Sequence, residues 1–270
     1  MRVFSCLIAL AVACAPKGPP SAAPDASGAQ RYKVGVVAAN GGAVVTSITT
    51  FEAEPRGEGV WAFRTAQAEG TWEEGTVAMT WNSANPTAAD PWPVTLQHAV
   101  ATVFAAVRLD ERGAPHQLLD QARWKAEARD AMGKTGLPAQ ASVGAAALLD
   151  ADGILRDLRR NFPGTPNGAG AWVRPERLAG LPATRLETCT QARAKGVTTW
   201  TCSGRVEGPR EGSARLVDAT STTQLVIDRK GLVQLDTEYS GTLVFLAPDG
   251  KRVIDRPIAG RRQVLRAPTP

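Results

Sequence analysis

The sequence predicts an α+β fold: a large, curved antiparallel β-sheet of long strands with helices packed on one face. Three observations support this prediction. The C-terminal third contains a long stretch that alternates apolar and polar residues, with the period of a strand. In the N-terminal third, tryptophans recur every nine to eleven residues, which is typical of an antiparallel meander. Between these regions, apolar residues repeat every three or four positions, which is typical of helices.

Residues 1–13 predict an export signal. A basic start at Arg2 precedes an apolar run that is too short for a membrane-spanning helix, which needs about 20 residues. The segment Leu-Ala-Val-Ala-Cys that ends at Cys14 has the pattern of a bacterial lipobox, so Cys14 is the expected lipidation site. The same segment also fits the A-x-A rule for ordinary secretion. Both interpretations place the signal-peptide cleavage at the same bond, and they differ only in whether Cys14 carries lipid.

Residues 14–30 are predicted to be the lipidated cysteine followed by a Pro/Ala-rich tether. Residues 15–30 contain four prolines and five alanines but no large apolar residue, so they cannot bury enough surface to fold. Extended as polyproline II at about 3.1 Å per residue, they would reach roughly 50 Å. The remaining residues, 31–268, are predicted to form a single β-rich domain that stands off the membrane.

The first part of this domain reads as strands separated by glycine-containing turns. Turns are predicted at Asn40-Gly41-Gly42, at residues 55–59 and at Ala68-Glu69-Gly70. His98 is expected in a further strand, as a partly buried, hydrogen-bonded histidine. The recurring tryptophans predict either core packing or an aromatic-lined groove; they are Trp61, Trp72, Trp81 and Trp92.

Residues 117–162 are predicted to be helical. Residues 118–132 form one candidate helix, and a second carries a one-sided apolar stripe that Gly153 could divide. The stripe consists of Val143, Ala147, Ala151, Leu155, Leu158 and Phe162. We expect these helices to cover one face of the sheet. The alternative, a helix lying on a membrane surface, would need a larger apolar face flanked by Lys and Arg.

Cys189 and Cys202 are predicted to form a disulfide. A two-residue turn at Lys195-Gly196 places them opposite each other in a hairpin, as a pair without backbone hydrogen bonds. Such pairs have Cα atoms about 4.5 Å apart, which a disulfide accepts. Export to an oxidising compartment also favours the bridge. A redox-active pair of cysteines fits the sequence less well than a structural disulfide, because no C-x-x-C spacing is present.

The C-terminal third predicts a long hairpin around a three-residue loop, residues 229–231, closed by a glycine bulge. The expected pairs are Asp228–Leu232, Ile227–Val233, Leu225–Leu235, Thr223–Thr237 and Val217–Leu243. Alternation then places one set of side chains on the concave face, as candidate ligand-lining residues or as core. This set is Val233, Leu235, Tyr239, Leu243 and Phe245.

The last strand is basic and is expected to be a charged edge strand or a contact for another envelope component. Its cations are Lys251, Arg252, Arg256, Arg261, Arg262 and Arg266.

Composition argues against several functional classes. The chain has 31 Lys and Arg against 26 Asp and Glu, and loss of residues 1–13 removes only Arg2. Such a mild positive charge does not indicate nucleic-acid binding. No complete nucleophile-elbow, phosphate-loop, calcium-loop or dinucleotide motif occurs in the sequence. The sequence therefore predicts a protein that is not an enzyme, with no cofactor and no metal site.

A lipobox, a Pro/Ala tether and a large antiparallel sheet of long strands together resemble the lipoprotein-carrier type of fold. This is the open half-barrel of the lipoprotein-localisation factors and related bacterial lipoproteins. The resemblance covers residues 31–268 in general pattern and implies an apolar concavity that could hold acyl chains.

Two functional hypotheses follow. The first is an envelope lipoprotein, anchored in the outer membrane and facing the periplasm, that binds an apolar or amphiphilic ligand or a lipoprotein on its concave sheet. The second is a scaffold or assembly lipoprotein with protein partners and no small ligand. An enclosed apolar cavity would favour the first hypothesis, and a filled core would favour the second.

Overall fold

A computed structural model describes residues 28–84, 92–136, 149–167, 170–179, 181–209 and 212–268. The predicted signal peptide, the lipidation site Cys14 and nearly all of the tether lie outside the described residues. Val143 and Ala147 of the predicted helical stripe also lie outside them.

The structure consists mainly of strands, with three described helices. The strands are β1 (Gln30–Asn40), β2 (Ala43–Gly57), β3 (Val60–Glu74), β4 (Val77–Asn82), β5 (Ala105–Leu109), β6 (Pro115–Leu118), β7 (Gly170–Leu178), β8 (Leu181–Ala194), β9 (Val197–Glu207), β10 (Ala214–Asp228), β11 (Gly231–Leu246) and β12 (Arg252–Arg266). The helices are α1 (Trp92–Ala101), α2 (Gln121–Gly133) and α3 (Ala151–Asn161).

All twelve strands belong to one antiparallel sheet, as the sequence predicted. Its order is β6-β5-β3-β2-β1-β12-β11-β10-β9-β8-β7, and β4 also pairs with β3. The sheet is open, because its path begins at β6 and ends at β7 without a pairing between them. Strand β12 pairs with both β1 and β11, so the prediction of a basic edge strand was wrong.

The sheet curves so strongly that its two edges meet the same helix. Ten strand spacings of about 4.8 Å would separate β6 from β7 by about 48 Å in a flat sheet, whereas an 11-residue helix is about 16 Å long. Arg159 of α3 nevertheless donates from Nε to the carbonyl oxygen of Pro115 in β6, at 2.6 Å. Arg160 donates from Nη2 to the carbonyl oxygen of Arg177 in β7, at 3.1 Å. Helix α3 therefore bridges the mouth of a half-barrel.

The helices lie on the concave side of the sheet, but their contacts with it are mainly with a few strands. Helix α3 contacts the edge strands β6 and β7, while α1 contacts β3 and α2. Gly153 lies inside α3 and does not divide it, because Asp150 caps the helix and accepts hydrogen bonds from the backbone nitrogens of Asp152 and Gly153. Leu118, predicted to begin a helix, is instead the last residue of β6.

Two local predictions in the first half were wrong. Ala68-Glu69-Gly70 lies inside β3 and is not a turn; a Cβ atom on Gly70 would lie 2.3 Å from the ring of Trp81, so glycine is required for ring packing. The turn that follows is at Gly75, which has a φ of 59°. His98 lies on α1 and not in a strand, because the segment that contains it pairs with no strand.

The long C-terminal hairpin confirms the predicted register only in its centre. Leu225 faces Leu235, and Thr223 faces Thr237. The pairs expected beside the turn and at the far end were wrong by one residue, because irregularities after Val226 and Val217 shift the register. The observed pairs there are Asp228–Gly231, Ile227–Leu232 and Leu216–Leu243.

Candidate ligand cavity

The concave face of the sheet changes from large to small side chains along a row that crosses seven strands. Cross-strand neighbours in this row are Trp200, Leu225, Leu235, Val264, Val34, Thr49 and Ala68. The members from β9 to β1 are buried in the core, whereas Thr49 and Ala68 are only half-buried. The neighbouring row places Ser47 and Gly70 beside them. Small residues on β2 and β3 therefore leave space above this half of the sheet.

That space is a cavity of about 820 Å3. Phe51 and Phe63 line it from the sheet, Trp81 lines it from β4, and Trp124 lines it from α2. Further apolar walls come from α1 and α3, including Val100 and Leu158. Most apolar lining groups thus come from elements at the N-terminal half of the sheet and from the three helices.

Polar side chains interrupt the apolar lining at nearly half of its positions, and five of them are charged. Arg64 lines the cavity, donates to Glu52 Oε2 from Nε at 2.8 Å, and lies 4.4 Å from the centre of the Phe104 ring. His98 also lines it; its Nδ1 is buried and has no hydrogen-bond partner among the described residues, unlike the hydrogen-bonded histidine that we predicted. Burial lowers the pKa of His98, which favours a neutral imidazole.

A buried ionic network lies on the other half of the concave face. Glu187 is fully buried; it accepts from Arg174 Nη2 at 2.5 Å, from Ser221 Oγ at 2.8 Å and from Thr223 Oγ1 at 2.9 Å. Arg174 also stacks 4.0 Å from the centre of the Trp172 ring. Such a network is stable only while both charges remain paired, because each ion has lost its water shell.

A second carboxylate joins this network to α3. Glu176 accepts from Arg160 Nε at 2.7 Å and from Arg185 Nε at 3.2 Å. Burial opposes the ionisation of Glu176, but Arg160 and Arg185 keep the pKa of its carboxyl group below the usual value. Glu176 is therefore ionised at neutral pH.

Four of the five predicted ligand-lining residues divide between two packed clusters. Leu235 and Leu243 are buried in separate clusters; Tyr239 and Phe245 pack on the cluster around Leu243. Tyr239 borders a pocket of about 60 Å3, and Val233 is half-buried. None of the five is among the described residues that line the 820 Å3 cavity.

The predicted disulfide is present and belongs to the core. Cys189 and Cys202 face each other across β8 and β9, with Cα atoms 4.0 Å apart, and both side chains are buried. The turn is at Lys195-Gly196, as predicted, and both residues have positive φ angles. The bridge lies beside Thr223 on the concave face, where it fixes the strands that hold the ionic network.

The ligand-lining residues were predicted on β11 because its alternate positions hold large apolar residues, and the cavity lies elsewhere. The available signal was the opposite one: inward positions of β2 and β3 hold small residues in strands that also carry aromatic side chains. These small residues are Ser47, Thr49, Thr65, Ala68 and Gly70. Among the described residues there is no group of three or more His, Cys, Asp or Glu side chains that could hold a metal ion.

Comparison with known proteins gives a structural likeness without a family. The sequence matches no family model, and it matches no curated protein. A solved structure described as "lipid-protein interactions in lipovitellin" superposes with a TM-score of 0.53 at 9% identity. The alignment covers 90% of this chain and 25% of the lipovitellin chain, so this chain spans about a quarter of the length of lipovitellin. Within the described part of the chain, no helix is long and apolar enough to cross a bilayer. The comparison shows that this large open sheet is similar in fold to part of lipovitellin.

Proposed function

We propose that this protein binds an apolar or amphiphilic ligand in the cavity between the concave sheet and the three helices. The observation that carries the proposal is the cavity itself, because about 820 Å3 is within the usual range for ligand sites, roughly 300–1,000 Å3. A filled core would leave only voids near the size of a water molecule.

The lining supports an amphiphile with a long apolar part. Four aromatic rings face the cavity, and Glu52 neutralises Arg64 of its lining. The other charged lining residues come from α3, its N-terminal cap and β7, so they can meet a polar headgroup while the rings hold the apolar part of the ligand. They are Asp150, Arg156, Asp157 and Arg177. The similar solved structure is described as "lipid-protein interactions in lipovitellin". This description favours a lipid over other apolar ligands.

Filling the cavity should abolish binding while preserving the fold. We expect Ala68→Trp to remove most uptake of a fluorescent fatty acid, because the new indole occupies space above β3, and to change the stability little. Leu235→Trp is the matched control; it forces the same ring into a filled core and should destabilise the protein by about 1–3 kcal/mol. Fatty-acid titration and urea unfolding check both variants. Undiminished uptake by folded Ala68→Trp would place the ligand elsewhere.

We further propose that the domain acts as a lipid-anchored envelope lipoprotein without enzymatic activity, facing the periplasm from the outer membrane. The lipobox pattern that ends at Cys14 supports this proposal. The resemblance to lipoprotein-carrier folds supports a role in handling a lipid or a lipoprotein.

Replacing Cys14 should release the protein from membranes without unfolding it. Cys14→Ser removes the acylated thiol, and an anchor of one or more acyl chains is then lost. We expect the variant in the soluble fraction after cell disruption, with no lipid mass on its N-terminus. Ser203 provides a control, since Ser203→Ala changes an exposed side chain and leaves both the anchor and the disulfide intact. Unchanged membrane fractionation of Cys14→Ser would contradict the lipoprotein proposal.

The scaffold hypothesis has one structural observation in its favour. On β4, which among the described strands pairs only with β3, Val77 and Met79 are 55% and 41% exposed. An exposed apolar strand edge can add a strand from another protein. Absence of fatty-acid uptake by the wild type, with partner binding unchanged after cavity filling, would favour this second function.

A further inference from the structure

The concave face beside α3 holds more buried positive charge than negative charge. Five arginines line a pocket there, from α3, β7, β8 and β12: Arg160, Arg174, Arg185, Arg261 and Arg262. Arg261 is exposed and pairs with Asp236, whereas the other four point into the interior. Two carboxylates, Glu176 and Glu187, face them. Asp157 approaches Arg160 at 3.9 Å, but its side chain is 59% exposed, so water screens most of its charge.

Both inner carboxylates are already fully engaged. Glu187 is held by Arg174 and by two hydroxyl groups, and Arg185 lies 4.0 Å from it. Glu176 is shared between Arg160 and Arg185. Because these two carboxylates serve three arginines, no described carboxylate within 4.0 Å remains for Arg262.

Arg262 therefore faces the protein interior with only a neutral partner. Its Nη1 donates to Asn161 Oδ1 at 3.0 Å. Burial and the nearby Arg160 lower the pKa of Arg262 to about 10, and the group is still charged at neutral pH. A second donor nearby is also unused: the buried Nε of Arg174 has no hydrogen-bond partner among the described residues.

These donors surround a pocket of about 60 Å3. The described lining of this pocket holds one carboxylate, Glu176, which Arg160 and Arg185 already share. Thr237 and Tyr239 complete its polar wall. The volume exceeds the roughly 30 Å3 that one water molecule occupies in the liquid, so a small oxyanion would fit. We propose that this arginine pocket binds an oxyanion, a carboxylate or phosphate group, through Arg262 and its neighbours.

The oxyanion could be free or could be the acidic end of an amphiphile. Asn161 connects the two sites, because it lines the 820 Å3 cavity and accepts the hydrogen bond from Arg262. Guanidinium groups bind carboxylate and phosphate groups strongly because both partners are charged and their geometries match. The arginine pocket does not depend on lipid binding in the larger cavity, since a free anion would satisfy it equally.

The test compares anions by thermal unfolding and calorimetry on the whole protein. Inorganic phosphate, decanoate and decanol are titrated to a few millimolar, in a buffer without other oxyanions. We expect a saturable rise in Tm of roughly 5 °C or more at about 100 times Kd. A rise with phosphate identifies a free-anion site; a rise with decanoate but not with decanol or phosphate identifies an amphiphile headgroup. Stabilisation by decanol alone, or by no anion, would overturn the proposal.

Arg262→Met should abolish the anion-dependent rise in Tm and leave the anion-free protein at least as stable, because a poorly compensated buried charge is removed. Arg205→Met is the matched control: this side chain is exposed, pairs with Glu207 and does not line the pocket, so the anion response of the variant should be unchanged. If Arg262→Met does not fold, Arg262→Lys keeps the charge but loses the planar donor set, and we expect Kd to increase at least tenfold. An unaltered anion response in either Arg262 variant would contradict the assignment.

Discussion

Glu187→Gln is expected to destabilise the fold by about 3–5 kcal/mol, the usual cost of breaking a buried ion pair from one side. The side chain of Glu187 is fully buried, and its carboxylate accepts from Arg174, Ser221 and Thr223. Glutamine keeps the size of the side chain but not its charge. Arg174 and the nearby Arg185 would then lose a buried counter-ion, while their own desolvation remains.

Urea unfolding measures this loss as a lower transition midpoint at an unchanged slope. Glu207→Gln is the matched control, because Glu207 pairs with Arg205 on the protein surface, and both side chains are substantially exposed. We expect that change to stay within about 0.5 kcal/mol of wild type. A similar midpoint for the two variants would show that the network does not carry the stability assigned to it.

Loss of the disulfide is expected to cost about 2–4 kcal/mol, because an unfolded chain without the bridge has more conformations to lose on folding. Cys189 and Cys202 are 13 positions apart, and the bridge closes a short hairpin. The double variant Cys189→Ala, Cys202→Ala should unfold at lower urea concentration than the oxidised wild type.

A reducing agent provides the internal control for the bridge. It should lower the unfolding midpoint of the wild type and leave that of the double variant unchanged. Equal midpoints for oxidised wild type and double variant would mean that the backbone pairing of β8 and β9 alone holds this hairpin. We also expect weaker anion stabilisation in the double variant, because Cys202 lies beside Thr223 under the ionic network.

The hairpins that were predicted correctly depend on the turn residues between their strands. Gly41, Lys195 and Gly196 adopt positive φ angles in their turns, which glycine permits most readily, so turn type and register follow from a few residues. The position of Cys189 opposite Cys202 followed by counting along the strands. Alternation of apolar residues then predicted which face of the C-terminal hairpin turns inward, as Leu225 and Leu235 confirm.

Local signals failed where a distant side chain decided the outcome. Gly70 resembles a turn residue, yet it stays in a strand because the ring of Trp81 packs on it. The apolar spacing around His98 suits either a short strand or a helix, and the helix buries Leu96 and Val100, four positions apart, on one face. The basic strand β12 resembles an edge, but β1 and β11 enclose it.

Most strands and turns, the disulfide and the large antiparallel sheet could be predicted from the sequence, because they depend on backbone geometry and on residues near in the chain. Where the sheet is filled and where it is hollow could not be predicted, because it depends on tertiary packing. Curvature brings β6 and β7 to the same helix, and this closure places Arg160 of α3 beside Glu176. Whether an inward face becomes core or cavity depends on the volume of the side chains opposite it, which separate parts of the chain supply.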